Sequence, residues 1–139
     1  MTDTDFPVTI FHNPACGTSR NTLAMIQASG ETPTVVEYLS QGWTRPQLEA
    51  LLDEMGKKPR DILRISGTPA EELGLTDAAT RDETILEAMI VHPILVNRPI
   101  VRTPKGTRLC RPSELVFGLL RQPPERFEKE DGEVVGPPL

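Results

Sequence analysis

The residue best suited to chemistry is Cys16, which lies in the loop formed by residues 12–19, HNPACGTS. Good helix formers follow this loop, so the thiol is predicted to lie at a helix N-terminus. Free backbone N–H groups and the helix dipole stabilise a thiolate there, and can bring a thiol pKa from about 8.5 to roughly 3.5–7.5. His12 could add a positive charge or a hydrogen bond. The alternative is that Cys16 is a small buried apolar residue and His12 an ordinary loop residue.

The neighbours of Cys16 narrow the chemistry open to its thiol. Ser19 stands where a Cys-x-x-Cys dithiol motif has its second cysteine, and Thr22 stands where a cysteine phosphatase loop needs arginine. The thiol therefore lacks a resolving partner in its own loop. The backbone N–H groups of Gly17, Thr18 and Ser19 are the donors of an oxyanion cradle, which predicts an anionic substrate.

An anion beside a thiolate needs cationic partners, and arginine offers paired donors to tetrahedral oxyanions. The candidates at predicted element ends are Arg64, Arg98 and Arg111. Each of them alone is more often a surface charge, and pattern does not choose among the arginines. Pro99 opens a predicted strand. The bond before it is either an ordinary trans peptide or a cis peptide that turns the Arg98 backbone toward Cys16.

The second cysteine, Cys110, ends a predicted strand. That position favours burial of its thiol, with a resolving role as the less favoured alternative. The only two cysteines of the chain form neither a disulfide framework nor a four-ligand zinc site. They indicate a reducing compartment, and we expect no metal site.

The elements that must position these residues begin with an α/β pattern. Alternating and β-branched residues predict strands at 7–11 and 34–38, with a helix at 21–29 between them. Because a crossover helix connects the two strands, we expect them to pair in parallel. Cys16 then lies between the first strand and the first helix.

A helical insert is predicted over about 44–92, where the apolar residues change to the helical period. Capping boxes that begin at Thr44 and Thr80 mark two helix starts. A short helix at 60–65 is predicted between them. This insert is too short to count as a separate domain.

The strands return after the insert as a hairpin of residues 99–103 and 107–110, before a last helix at 113–120. We expect one domain over 1–122, followed by an acidic, Pro-containing tail over 123–139. The composition of this tail predicts weak structure and exposure to solvent.

Composition excludes several classes of protein. A length of 139 residues and 37% hydrophobic residues suit one globular core, and the net charge of −5 excludes a dominant cationic surface for nucleic acid. Any anion must therefore be held by local basic residues. The N-terminus lacks the pattern of a signal peptide, and no apolar run is long enough to span a membrane. We expect a soluble, cytoplasmic protein.

Three segments of the sequence together resemble the glutaredoxin-coupled arsenate reductases. They are residues 12–21 (HNPACGTSRN), 92–101 (HPILVNRPIV) and 106–113 (GTRLCRPS), within a match that runs in order from about residue 6 to 120. The stretch 129–133, KEDGE, is similar to the family's C-terminal stretch. The resemblance implies a thioredoxin-like α/β fold with a mixed sheet, flanking helices and a helical insert.

The resemblance also implies roles for single residues. Cys16 would be the nucleophile, His12 would lower its pKa, and the peptide before Pro99 would be cis. The implied oxyanion contacts are Arg98, Arg111 and either Arg64 or, one turn away, Arg60.

The implied reaction starts when the Cys16 thiolate displaces an oxygen of arsenate to give a covalent thiol adduct. Three guanidinium groups would offset the negative charge of the anion. With Ser19 in place of a second cysteine, the electrons must come from outside. In the family glutathione is the co-substrate and glutaredoxin resolves the mixed disulfide, so that arsenite is released in arsenic resistance without a bound cofactor or metal.

Two other functions remain open from the sequence. One is a non-enzymatic regulator that binds RNA polymerase through a thioredoxin-like surface, although such relatives commonly carry Cys-x-x-Cys, which Ser19 breaks here. The other is a thioredoxin-like reductase of a different thiol or oxyanion.

Overall fold

The computed structural model describes residues 6–137 and divides the chain into two compact units. The first unit joins the residues up to Glu37 with those from Arg98 onward, and the second comprises residues 38–97. In the sequence, the second unit lies between two strands of the first unit. It is longer than the insert predicted at 44–92. We call the two the sheet unit and the helical unit.

A four-stranded mixed sheet organises the sheet unit. Its strands are β1 (Thr9–His12), β2 (Thr34–Glu37), β3 (Ile100–Thr103) and β4 (Gly106–Leu109), in the order β2-β1-β3-β4. β1 pairs in parallel with β2, and its other edge pairs antiparallel with β3, which forms a hairpin with β4. The predicted parallel pairing, the hairpin and the α/β class are thereby confirmed.

The first helix, α1 (Gly17–Ala28), has Cys16 as its N-cap. It begins before the predicted residue 21, because the N–H groups of the first turn have no intrahelical acceptors and this turn therefore admits weak helix formers. Met25 and Ile26 on α1 are fully buried. They share the core with buried residues of the sheet and the C-terminal segment, among them Ile10, Val101, Val116 and Phe117. The core therefore fixes α1, and with it the position of Cys16.

The C-terminal part differs from prediction in two places. The last helix is a 3-10 helix, Ser113–Leu119. The tail that composition predicted to be weakly structured instead forms a hairpin of β5 (Phe127–Glu128) and β6 (Val134–Val135). The prediction of weak structure was wrong because Phe127 and Val135 anchor the hairpin against the core cluster, whereas most described residues of the tail are exposed to solvent as predicted. Composition averages over the acidic residues and misses these two anchors.

The helical unit contains three α-helices: α2 (Tyr38–Gln41), α3 (Arg45–Met55) and α4 (Asp82–Val91). The capping box at Thr44 is confirmed, since its hydroxyl accepts the Gln47 N–H and Gln47 caps the Thr44 N–H in return. The box predicted at Thr80 was wrong. Arg81 is the N-cap of α4, and the Thr80 hydroxyl donates instead to the Gly74 carbonyl at 2.6 Å.

Two 3-10 helices complete the helical unit. They are Pro59–Ile62, where a short helix over 60–65 was predicted, and Pro93–Leu95. The Arg64 N–H donates to the Leu95 carbonyl at 2.7 Å and so ties the segment after the first of these helices to the end of the second. No helix within residues 6–137 is both long and apolar enough to cross a bilayer.

Candidate active site

The loop before α1 is folded by its own side chains. Asn13 Oδ1 accepts the Ala15 N–H at 2.9 Å, and the Asn13 carbonyl accepts the Cys16 N–H at 3.0 Å. This is an Asx turn, in which the asparagine side chain replaces a backbone acceptor, and Pro14 stiffens it further. The turn delivers Cys16 to the N-cap of α1 with its side chain 8% exposed.

Three donors converge on the Cys16 sulfur. Arg111 Nη1 lies 3.7 Å from Sγ, and the Arg98 side chain and the Ser19 N–H also form hydrogen bonds to the thiol. Burial on its own would raise the pKa of Cys16. The hydrogen bonds from Arg98, Ser19 and Arg111 outweigh this effect and lower the pKa to about 7. The Cys16 thiolate is therefore populated near neutral pH.

Arg98 and Arg111 contact each other as well as the Cys16 thiol. Arg111 Nη1 also donates to the Arg98 carbonyl at 3.0 Å, and two guanidinium nitrogens of Arg98, Nε and Nη1, are buried. The peptide between Arg98 and Pro99 is cis, as the resemblance implied. A second cis peptide, Arg111–Pro112, was not predicted. Cys16, Arg98 and Arg111 are thus brought together in the sheet unit.

His12 is directed at the first turn of α1. Its Nδ1 lies 2.6 Å from Ser19 Oγ, which also accepts the Asn13 N–H at 3.0 Å. Burial lowers the pKa of His12, and the nearby Arg20 cation acts in the same direction against the opposing charge of Glu37. A neutral His12 can accept a hydrogen bond from the Ser19 hydroxyl at Nδ1.

The roles of His12 and of the loop N–H groups remain predictions, but the geometry refines both. The groups that lower the pKa of Cys16 are Arg98, Ser19 and Arg111, and His12 reaches the site through Ser19. Gly17, Thr18 and Ser19 occupy the first turn of α1, where N–H groups lack intrahelical partners. A Cβ on Gly17 would meet only side-chain ends, at 3.7 and 3.8 Å. The structure therefore has room for a side chain at Gly17, beside the Arg20–Glu130 ion pair.

The remaining predicted arginines, Arg64 and Arg60, belong to the helical unit. Arg64 Nε donates to the Ser66 carbonyl at 3.2 Å. Arg60 is engaged at the start of α4, where Nε pairs with Asp82 at 3.2 Å and Nη2 donates to the Thr80 carbonyl. These bonds give Arg60 a bracing role inside the helical unit. The contact of Arg64 with an anion remains a prediction.

Sequence reasoning missed Asn13, Arg20 and Glu130. Asn13 folds the loop, and Arg20 joins the loop to Glu130 of the C-terminal hairpin. The Asn-Pro dipeptide is a turn signal that could have identified Asn13. No local pattern pairs Arg20 with a carboxylate so distant in sequence.

Cys110 is confirmed as a buried thiol. It is fully inaccessible to solvent, and burial raises its pKa to about 12, against a small opposing effect of Arg108. Both cysteines are free thiols. Within residues 6–137 no three His, Cys, Asp or Glu side chains are grouped as a metal site would need.

The fold and the site define a thioredoxin-like protein with one activated cysteine: a β-α-β unit and an antiparallel hairpin, a thiol at the N-terminus of the first helix, and a cis-proline. Residues 11–117 match the ArsC family. An arsenate reductase of Rhizobium meliloti strain 1021 is 57% identical over 129 residues, which cover 92% of each chain. The chain therefore belongs to the ArsC family.

Two further relatives agree with this membership. An arsenate reductase of Escherichia coli strain K12 is 53% identical over 129 residues, again 92% of each chain. The solved structure of an arsenate reductase from Vibrio cholerae is similar with a TM-score of 0.78 and 35% identity, covering 83% of this chain and 98% of that chain.

Proposed function

We propose that this protein is an arsenate reductase in which Cys16 is the nucleophile and in which glutathione and glutaredoxin supply the electrons. One observation carries the proposal. The Cys16 thiol has a pKa of about 7 and accepts hydrogen bonds from the guanidinium groups of Arg98 and Arg111. A thiolate and an oxyanion repel each other, and this arrangement offsets the repulsion at the point where they must meet. The names of the relatives support arsenate as the oxyanion.

The first step joins sulfur to arsenic. The Cys16 thiolate attacks arsenate, an S–As bond forms, one As–O bond breaks, and the oxygen leaves as water after protonation. Arg98 and Arg111 offset the charge of the remaining oxygens, together with N–H groups of Gly17, Thr18 and Ser19. Arg64 is the third guanidinium that we propose for this anion, by resemblance.

The second step transfers the electrons. A glutathione thiolate attacks the Cys16 sulfur, an S–S bond forms, and the S–As electron pair goes to arsenic, which leaves as arsenite. The mixed disulfide needs an outside thiol because Ser19 replaces a second loop cysteine and Cys110 is buried. Glutaredoxin then attacks the glutathione sulfur and frees Cys16. Glutathione is thus a co-substrate and no bound cofactor takes part. We expect this chemistry in the reducing cytoplasm.

The test is arsenate-dependent oxidation of NADPH in the presence of glutathione, glutaredoxin and glutathione reductase. We expect turnover by the wild type and by Cys110→Ala, and none by Cys16→Ser. A wild-type rate no higher than that of Cys16→Ser would overturn the proposal. Replacing glutathione, glutaredoxin and glutathione reductase by thioredoxin and its reductase tests the electron source, because equal rates in both systems would overturn the glutaredoxin step alone.

A further inference from the structure

The guanidinium of Arg20 joins the Cys16 loop to the far end of the chain. Its Nη1 donates to the Pro14 carbonyl at 2.8 Å, and its Nε and Nη2 donate to the two carboxylate oxygens of Glu130 at 2.8 and 3.0 Å. Glu130 lies in the C-terminal hairpin, the segment 127–135 that contains β5 and β6. The Arg20 side chain thus holds the Pro14 carbonyl, while two parallel hydrogen bonds to Glu130 fix the direction of the Arg20 guanidinium.

The C-terminal hairpin is itself firmly held. Phe127 and Val135 pack against the core of the sheet unit. Lys129, whose side chain is only 10% exposed, pairs with Glu114 at 2.7 Å and with Glu133 at 3.0 Å. These contacts give Glu130 a rigid base.

The backbone of Glu130 adds one more bond, from its N–H to Asn21 Oδ1 on α1 at 3.0 Å. Glu130 is therefore fixed both to the hairpin and to the helix that presents Cys16. A carboxylate supported in this way can orient the Arg20 side chain.

The side chains of Arg20 and Glu130 are 45% and 50% exposed, so solvent screening limits what their ion pair contributes to folding. Hydrogen bonds and charge from Arg20 lower the pKa of Glu130, and those from Glu130 raise the pKa of Arg20, with a smaller contribution in the same direction from the charge of a Cys16 thiolate. The guanidinium therefore holds the loop through the Pro14 carbonyl and carries its charge near Cys16.

We propose that Arg20 is a positioning residue for Cys16, held in place by Glu130, and that the C-terminal hairpin is consequently part of the reactive site. Arg20 fixes the Pro14 carbonyl and so the turn that aims the thiolate. Its charge adds to the field of the helix N-terminus. The kinetic part of this inference rests on the proposed function, whereas the thiol reactivity part does not.

The first test compares Arg20→Met with Arg45→Met. Arg45 is a matched control because it pairs with Glu49 and Glu83 in the helical unit, and its side chain is 40% exposed. For Arg20→Met we expect the pH midpoint of Cys16 alkylation to rise by about half a unit, the size of one partly screened charge. We also expect kcat to fall about threefold to tenfold with KM for arsenate unchanged. Arg45→Met should change neither.

Two further variants separate charge from position. Glu130→Gln removes the fork but not the cation, so kcat should fall without any rise of the alkylation midpoint. Arg20→Lys keeps the charge but cannot hold Glu130 and Pro14 together. Its midpoint should stay near that of the wild type while kcat remains low.

The inference is overturned if Arg20→Met matches Arg45→Met in the alkylation midpoint. It is also overturned if Arg20→Lys and Glu130→Gln both keep full kcat. If the wild type shows no arsenate-dependent turnover, the proposed function fails, and the alkylation midpoints of Arg20→Met and Arg45→Met then decide the inference alone.

Discussion

The two cysteines of this protein lie in the same unit, and both are buried, yet their thiols differ sharply. Cys16, 8% exposed, has its pKa lowered to about 7, whereas Cys110, fully buried, has its pKa raised to about 12. Burial raises the pKa in both cases. The difference comes from the donors: Arg98, Ser19 and Arg111 point at Cys16, while the Cys110 thiol itself donates weakly to the Arg108 carbonyl, 3.7 Å away.

Backbone position explains why only one thiol receives donors. Cys16 is the N-cap of α1, where N–H groups have no helical partner. Cys110 directly follows β4, and its N–H is used by the Pro99 carbonyl at 2.9 Å. A thiol in this fold becomes reactive through the groups that face it rather than through exposure.

The largest expected effect is the difference between the two thiols themselves. Because the pKa of Cys16 is lowered to about 7 and that of Cys110 is raised to about 12, iodoacetamide should alkylate Cys16 with a midpoint near pH 7 and leave Cys110 unmodified at that pH. Peptide mass mapping after brief labelling from pH 5 to 9 measures both sites in one sample. Parallel pH profiles for the two thiols would contradict the comparison.

Removal of the arginine donors should come next in size. Arg98→Ala and Arg111→Ala each lose charge-assisted hydrogen bonds of about 1.5–3 kcal/mol, so kcat/KM should fall about tenfold to a hundredfold. The alkylation midpoint of Cys16 should rise in both variants, because the lost bonds favour the thiolate. Lysine should restore only part of the loss, since a point charge lacks paired donors.

Arg45→Ala is the control for these two variants. Its partners Glu49 and Glu83 lie in the helical unit, and its loss should leave kcat/KM and the alkylation midpoint unchanged. Full activity of Arg98→Ala and Arg111→Ala would remove the anion site proposed for them.

The part of the site around Cys16 was predictable because the sequence signals for it are local. The alternation of residues 7–11 and 34–38 predicted the parallel strands, and a cysteine between a strand and a helix predicted the activated thiol. The helix start was placed too late, since Gly17 and Thr18 are weak helix formers that a first turn nevertheless admits.

The rest of the site depends on contacts between residues that are distant in sequence. No periodicity brings Arg98 and Arg111 to Cys16. Their places at predicted element ends made them candidates, and the resemblance implied their contact with the oxyanion. The C-terminal hairpin was missed for the same reason. Its turn carries the acidic composition of a solvated tail, while its order comes from Phe127 and Val135 in the core. A sequence pattern predicts local structure, and the average composition of a segment hides single anchoring residues of this kind.

Arg64 and Arg60 are the two candidates for the third guanidinium, and the sequence does not choose between them. Arg64→Ala should lower kcat/KM by about tenfold, as expected for a lost anion contact. Arg60→Ala should keep its activity and lower Tm by about 2 °C, because Arg60 braces α4 through Asp82 and Thr80. Steady-state kinetics and thermal unfolding of the two variants measure both effects. Activity lost in Arg60→Ala and kept in Arg64→Ala would instead assign the anion contact to Arg60.

The smallest expected effect on Cys16 is that of His12. Burial lowers the pKa of His12 against the opposing charge of Glu37, and so favours the neutral imidazole over the cation at the pH where Cys16 ionises. His12→Ala removes the partner of the Ser19 hydroxyl but leaves the Ser19 N–H that faces the thiol. The alkylation midpoint should therefore move much less than in Arg98→Ala, while kcat falls a few-fold, roughly, as the first turn of α1 loosens. Labelling of the two variants over the same pH series compares them directly. A rise in His12→Ala equal to that in Arg98→Ala would show that His12 acts on the thiolate by its own charge, and the three donors seen at the sulfur would then be insufficient to account for its pKa.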